Sequence, residues 1–459
     1  MMIELAEVIQ PNIEEGIYPI GLTDETIELR KQAVLKRMEE KNIDSLVIWA
    51  DLEHGSNFEY LVGFLPRFEE ALLVLHKDGQ AQIVLGNENL NKASKARIDV
   101  TAVHMPHFSL PNQPMEVEKS VEDILKGCKL EEDQVIGLVG WKNFTSRFDN
   151  NKELFDLPSF IVEALKKNNP NAKFINAADI FIGENGARTQ NNANEFAHYE
   201  FGATLAGNCI LNAMNQIEIG RSEMEVADAL DAGGQPHSVV TIMATGARFE
   251  KANMYPTNKK IKKQDPLSIT TGFKGGLQSR GGYAVSSADE LPENIQDYIE
   301  VVAKPYFNAV VTWLENIKIG MKGKELYQVV DAILPKDQYG WKLNPGHLCA
   351  DEEWLSSPIY PDSDEELKSG MLFQIDIIPS VPGYGGISCE SGVMLADEEL
   401  RKNIQEEYPE VWSRIIDRRR YMKEELGIDI SEEIIPTSIV TAYCRPFLLN
   451  KEYALKNVK

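Results

Sequence analysis

The chain has a shortage of positive charge and no long apolar run, and each scarcity removes a class of function. Lys and Arg total 47 against 71 Asp and Glu, a formal net charge of −24 over 459 residues. A surface this acidic repels phosphate backbones and anionic headgroups, so neither nucleic acid nor a membrane is an expected partner. No uninterrupted apolar stretch approaches the roughly 18 residues that span a bilayer. The first ten residues include Glu4 and Glu7 and lack the basic-then-apolar pattern of a secretory signal, so a cytoplasmic protein is expected. The five cysteines, Cys128, Cys209, Cys349, Cys389 and Cys444, are scattered and form no CxxC pair, which argues against a disulfide framework or a zinc knuckle. Residues 272–282 are rich in glycine but contain no phosphate-loop pattern, and no GxSxG nucleophile elbow occurs anywhere.

What is present describes a globular chain of two or three domains. Hydrophobic residues make up 43% and charged residues 26%. The first 185 or so residues alternate helix and strand signals. Ile27, Val34, Leu35 and Met38 share one helical face, and residues 45–50 (SLVIWA) read as a buried strand. Residues 71–75 and 80–85 flank Asp78-Gly79 and predict a hairpin. Residues 135–139 predict a further strand, and residues 159–167 a helix after Pro158. Residues 183–192 turn polar and glycine/asparagine-rich, which predicts a linker. Two helices follow, one carrying Phe196, Tyr199, Ala203, Ala206, Ile210 and Met214, the other Tyr306, Val310, Trp313 and Ile317. Each is followed by Ile-Gly, at 219–220 and 319–320, which suggests an internal duplication. Strands are expected near 238–243, 267–271, 371–378 and 392–395. In the tail, Ile404, Tyr408, Val411, Ile415 and Met422 predict one helix with Arg418–Arg420 toward its end, followed by an irregular wrapping segment.

These residues resemble a known superfamily. The helix–Ile-Gly repeats, Asn344-Pro345-Gly346-His347, Gly370-Met371-Leu372-Phe373 and Glu390-Ser391-Gly392-Val393 look like the creatinase/aminopeptidase P group. The stretch Asn57–Phe64 looks like the "YLTGF" stretch of its N-terminal domain. The resemblance implies an α/β (α+β) chain: a creatinase-like N-terminal domain at 1–185, a pita-bread domain with pseudo-two-fold duplication at 190–398, and a C-terminal extension at 399–459. It also implies a homodimer.

Peptidases of that superfamily hold two divalent metals with two Asp, one His and two Glu, a set of hard oxygens and one imidazole that activates water. Position by position, Gln264-Asp265 matches the "GD" before the first metal strand, so the first metal Asp falls on Thr270. The second, in an "SDxTR" stretch, falls on Arg280. The His matches His347, and the two Glu match Asp376 and Glu390. A guanidinium stays protonated and repels a cation. The implied site therefore has no catalytic metal pair and no cofactor, with Arg280 standing where a metal would and pairing with Asp376 and Glu390. His347 is the candidate proton carrier, with Asp376 and Glu390 positioning substrate or water. Thr270, Arg280 and His237 are candidate substrate-binding groups. So is Arg67, which in creatinase-like dimers would reach the neighbouring subunit's cleft and hold a carboxylate. The histidine of creatinase's "AHNP" stretch matches Asn253, which argues against creatine as substrate.

The expected function is metal-independent hydrolysis of a C–N bond in a small or short-peptide substrate, a carboxylate-bearing guanidino, amidine or amide compound. A non-catalytic peptide-binding pseudopeptidase and an Xaa-Pro peptidase with an unusual site stay open beside it.

Overall fold

The computed structural model describes residues 2–115, 118–249, 251 and 254–458. The chain divides into two units, 22–189 and 1–21 together with 190–459.

The first unit is built on a six-stranded sheet. Strand Ser45–Ala50 lies inside it, antiparallel to Ala71–His76 and parallel to Val135–Val139. All six of its residues are buried, which is why SLVIWA reads as a continuous apolar run and not as an alternation. Ala71–His76 and Ala81–Leu85 form the expected hairpin, turning at Gly79 with φ +84°. Helix Asp24–Glu40 buries Ile27, Val34 and Met38 and is capped by Thr23, whose side chain accepts from the Thr26 amide. The stretch resembling "YLTGF" forms the short helix Ser56–Val62, stopped by Gly63 in the left-handed region at φ +78°.

The second unit carries the duplication. Helix Ala193–Gln216 opens on an Asn192/Glu195 capping box. Its partner in the repeat is Lys304–Asn316. After each helix the chain passes a glycine with positive φ, Gly220 at +88° and Gly320 at +81°, and enters a further helix, Glu223–Ala227 or Gly323–Ile333. The hydrogen bonds repeat as well. Gly220 and Gly320 donate to the carbonyls of Ile261 and Leu367, and Ile261 and Leu367 donate back to Arg221 and Met321. The two halves meet in an antiparallel sheet of order His347–Leu348, Leu372–Ile375, Ser388–Leu395, Gly276–Tyr283, Pro266–Phe273, Ile242–Thr245. Glycines let the long helix lie close on this sheet. A Cβ at Gly202 would sit 2.0 Å from the Lys274 carbonyl oxygen, and Gly275 at φ +100° turns directly under Tyr199.

The tail departs from the expected single helix and irregular wrap. Pro409 disfavours the helical conformation at Tyr408, and the stripe splits into Glu398–Glu407 and Pro409–Glu424. Beyond them, Ile434–Pro436 pairs with Ser388–Leu395, and Tyr453–Val458 pairs with Met2–Glu7. The second of the tail helices is tied to the first helix of the unit by a buried ionic cluster. Glu200, with no exposed side-chain surface, accepts from Arg414 Nε and Nη2 at 2.9 and 2.7 Å and from Arg418 Nη2 at 2.5 Å. Arg418 Nε also donates to Glu14 at 2.7 Å. Burial by itself would raise the Glu200 carboxyl, but the guanidiniums of Arg418 and Arg414 outweigh it and hold the group below its ordinary value. Its stabilising contribution is therefore full above the unfolded-state pKa of about 4.3 and is lost as the pH falls through the lower folded value. Glu200→Gln takes the shared carboxylate from part-buried Arg414 and leaves buried Arg418 with Glu14 alone. Urea titration at neutral pH should show a loss of about 3–5 kcal/mol, with a weaker acid-dependent fall in stability than in the parent protein.

Candidate functional site

Strand register decides which side chains meet. Thr270 pairs with Ser279 and Ser279 with Glu390, while Arg280 pairs with Ile269 and Cys389. Paired residues share a face and successive residues alternate, so Thr270, Ser279 and Glu390 look out of one side of the sheet and Arg280 and Cys389 out of the other. His347 pairs with Gln374, and Gln374 with Gly392, on the Glu390 side. Ile375 pairs with Ser391, and one step further the chain sets Asp376 beside Glu390. The outcome is a cluster in which ligating atoms of His347, Asp376 and Glu390 all lie within 4.8 Å of one another.

Each member is held from behind. His347 is 1% exposed, and its Nδ1 is 3.1 Å from the Leu348 carbonyl oxygen. A carbonyl only accepts, so Nδ1 carries the proton and Nε2 is left with a free lone pair. The Trp354 ring stacks on the imidazole at 4.1 Å between centroids and 22° between planes. Trp354 is carried by a turn closed by Leu348 N–H to Ser356 O at 2.7 Å and Leu355 N–H to Leu348 O at 2.8 Å. Gln374 Nε2 donates 2.9 Å to the Leu277 carbonyl, crossing the intervening strand where Gly392 has no side chain. Thr270 Oγ1 donates to Ser279 Oγ at 2.9 Å. Two oxygens on this face, Asp376 Oδ1 and Gln374 Oε1, are buried with no hydrogen-bond partner.

The electrostatics follow from crowding. Burial, then the nearby Glu353 carboxylate, pushes Asp376 up to about 7. Burial, then Asp376 and Glu353, pushes Glu390 well above the usual carboxylate range. Burial lowers His347 to about 4, so the imidazole is neutral at neutral pH and acts as an acceptor, not as the proton carrier expected from its type. Among the described residues, no basic side chain forms an ion pair with Asp376 or Glu390.

Of the residues singled out in the sequence, His347, Asp376, Glu390 and Thr270 stand on this face. Arg280 does not. It is 1% exposed on the reverse side, and instead of pairing with carboxylates it donates to the carbonyls of Tyr443 at 3.0 Å, Ser279 at 2.7 Å, Glu390 at 2.8 Å and Val440 at 2.7 Å. It also reaches Gln278 Oε1 and Ser391 Oγ. A guanidinium committed in this way binds no substrate anion. His237 also belongs to the reverse side, stacked on Phe273 at 4.9 Å and 3.3 Å from Thr271 Oγ1. Arg67 lies in the other unit, exposed, with its guanidinium over the Phe68 ring at 4.8 Å. Asn253 lies outside the described residues. Sequence reasoning missed Ser279, Gln374, Glu353 and Trp354. The tight turn at Lys274-Gly275 carried the signal for Ser279, because a two-residue turn sets Thr270 opposite Ser279.

The donor chemistry of this cluster fits a cation. His347, Asp376 and Glu390 offer an imidazole nitrogen and two carboxylates. Thr270, where the resemblance puts the first metal Asp, and Ser279 opposite it on the same face carry hydroxyls bonded to each other.

Comparison with known proteins agrees with this architecture. Residues 198–397 match metallopeptidase family M24. No curated protein sequence matches the chain. Among solved structures it is similar to an Xaa-Pro dipeptidase from Bacillus anthracis, with TM-score 0.61 and 18% identity over 81% of this chain and 96% of that one. It is similar also to the prolidase from Pyrococcus horikoshii, at 0.61 and 19% over 80% and 95%. A recombinant prolidase from Thermococcus sibiricus gives 0.62 and 18% over 82% and 96%. At these identities the likeness shows a shared fold.

The placement of Arg280 is checked by stability. Arg280→Met strands buried carbonyls of two strands and of the tail, so chemical denaturation should show a loss of about 3–5 kcal/mol. Thr270→Val, which removes one hydroxyl–hydroxyl bond, should cost about 1 kcal/mol. Equal, small effects would contradict the assignment of Arg280 to the core side.

Proposed function

We propose, for a chain whose residues 198–397 match metallopeptidase family M24 and whose fold is shared with Xaa-Pro dipeptidases, hydrolysis of a C–N bond in a small substrate, carried out without a two-metal centre. One observation carries the reading: His347, Asp376 and Glu390 converge within 4.8 Å, while Thr270, where the resemblance puts the first metal Asp, and Ser279 opposite it carry hydroxyls bonded to each other. Water is the nucleophile. Glu390 and Asp376 take its proton as the C–O bond forms and return one to the departing nitrogen as the C–N bond breaks. His347 Nε2 accepts a hydrogen bond from the water and orients it, and Trp354 keeps the imidazole in place. The substrate is a dipeptide or a guanidino, amidine or amide compound with a carboxylate. Arg67 of a second copy is the proposed partner for that carboxylate, which makes the working unit a homodimer.

A panel of Xaa-Pro dipeptides, N-acyl amino acids and guanidino acids, assayed after chelator treatment and again with added Mn²⁺, tests the proposal. Turnover should appear with at least one class and fall by about 10²-fold or more in Glu390→Gln, with folding unchanged by circular dichroism. A folded protein that turns over none of them, yet binds Xaa-Pro peptides, would favour the non-catalytic peptide binder. That reading draws on the same hydroxyl pair.

A further inference from the structure

The reverse face of the sheet holds a second cluster of chemically active groups, which the hydrolase reading does not use. Arg280 donates there to carbonyls, to Gln278 Oε1 and to Ser391 Oγ, all of them neutral acceptors. Two thiols stand beside it. Cys389 is its partner in strand register, and Cys444 follows Tyr443, whose carbonyl takes the Arg280 Nε–H at 3.0 Å. Both cysteines are buried and free. The Cys444 S–H and the Tyr306 O–H both donate to the Cys389 sulfur. The Tyr306 oxygen in turn accepts the Cys389 amide at 2.8 Å, and the Leu455 amide donates to the Cys444 carbonyl at 2.9 Å. Both backbones are therefore anchored with the two sulfurs in contact.

The other three cysteines have no such setting. Burial pushes the Cys128 and Cys209 thiols up to about 12 and raises Cys349 as well. A thiol desolvated in this way is inert, whereas electropositive surroundings mark the reactive ones. Cys389 has a guanidinium at its side and two donors on its sulfur.

We propose that Cys389 and Cys444 are a redox pair, closed to a disulfide by hydrogen peroxide and reopened by a dithiol. The Cys389 sulfur attacks one peroxide oxygen, the O–O bond breaks, and the thiol proton leaves with the departing oxygen as water, which gives a sulfenic acid. The Cys444 sulfur then attacks the sulfenic sulfur. The S–S bond forms, the S–O bond breaks, and the departing hydroxide takes the Cys444 proton as a second water. Two thiols have then given two electrons and two protons to one peroxide. A dithiol returns them by exchange and becomes a disulfide itself. The sulfurs, already in contact, close to the roughly 2.05 Å of a disulfide. Peroxide is little larger than water, and a local opening of the tail segment that carries Cys444 admits it. The bond staples the tail to strand Ser388–Leu395 one residue before Glu390, so the redox state acts on the strand that carries a pocket carboxylate.

The test treats the folded, reduced full-length protein with a small excess of hydrogen peroxide at neutral pH, quenches with catalase, denatures in N-ethylmaleimide and maps the peptides by mass spectrometry without reduction. Alkylatable thiols should fall from five to three, with Cys389 and Cys444 in one linked peptide, and dithiothreitol should restore all five. In Cys444→Ala, which removes the second thiol, dimedone should trap a sulfenic acid on Cys389. Five alkylatable thiols after treatment would overturn the proposal. So would a bond joining any other pair, or oxidation that falls on Cys128, Cys209 or Cys349 and spares Cys389. None of these readouts depends on turnover, so the hydrolase reading and this one stand or fall separately.

Discussion

The guanidinium of Arg280, buried among backbone carbonyls on the reverse of the C-terminal sheet, fixes which side of that sheet can be a pocket. It joins the backbone of two strands to the tail through Ser279, Glu390, Val440 and Tyr443. With Arg280 turned inward, alternation turns Ser279 outward, and pairing carries Thr270, Glu390 and Asp376 to the same side. A slip of one residue would exchange the faces and bury a carboxylate where the guanidinium now sits. The tail from Ser438 to Leu448 is thus part of what orients the site, since it supplies two of the carbonyls that hold Arg280.

The opposite face is organised around an excess of acceptors. His347 is kept neutral by burial, its tautomer is set by Leu348, and Trp354 covers the ring. Asp376 and Glu390 stand beside each other in adjacent strands; burial and then Glu353 raise Asp376, and burial, Asp376 and Glu353 raise Glu390. Structural ion pairs elsewhere in this unit are closed systems, as at Glu200 with Arg414 and Arg418, where every charge has its counter-charge. Among the described residues Asp376 and Glu390 have no such counter-charge, which suits a site prepared for an external partner.

Much of this was legible in the sequence. The apolar stripe from Phe196 to Met214, the Ile-Gly pairs at 219–220 and 319–320, and SLVIWA each announced their element, because burial of one face or both writes a period that tertiary contacts do not erase. His347, Asp376 and Glu390 were legible because each sits at a motif that resembles the family's. The role of Arg280 was not. Matching motifs by order assigned it to the second metal position, but the Lys274-Gly275 turn sets Ser279, not Arg280, opposite Thr270 and on the pocket face, and only register shows it. Gln374 and Glu353 carry no motif at all, and they matter through where a strand crossing at Gly392 and a turn after Leu348 deliver them. The break at Pro409 was visible as a proline but was overruled by the apolar stripe on either side of it.

The most direct measurement is an anomalous difference map from crystals of the protein grown or soaked with Mn²⁺. The two-faced arrangement predicts one peak per chain, bounded by His347 Nε2 and by carboxylate oxygens of Asp376 and Glu390, with Thr270 and Ser279 still bonded to each other and Arg280 on the far side of the sheet. Two peaks, or a map with Arg280 turned into the pocket, would contradict it.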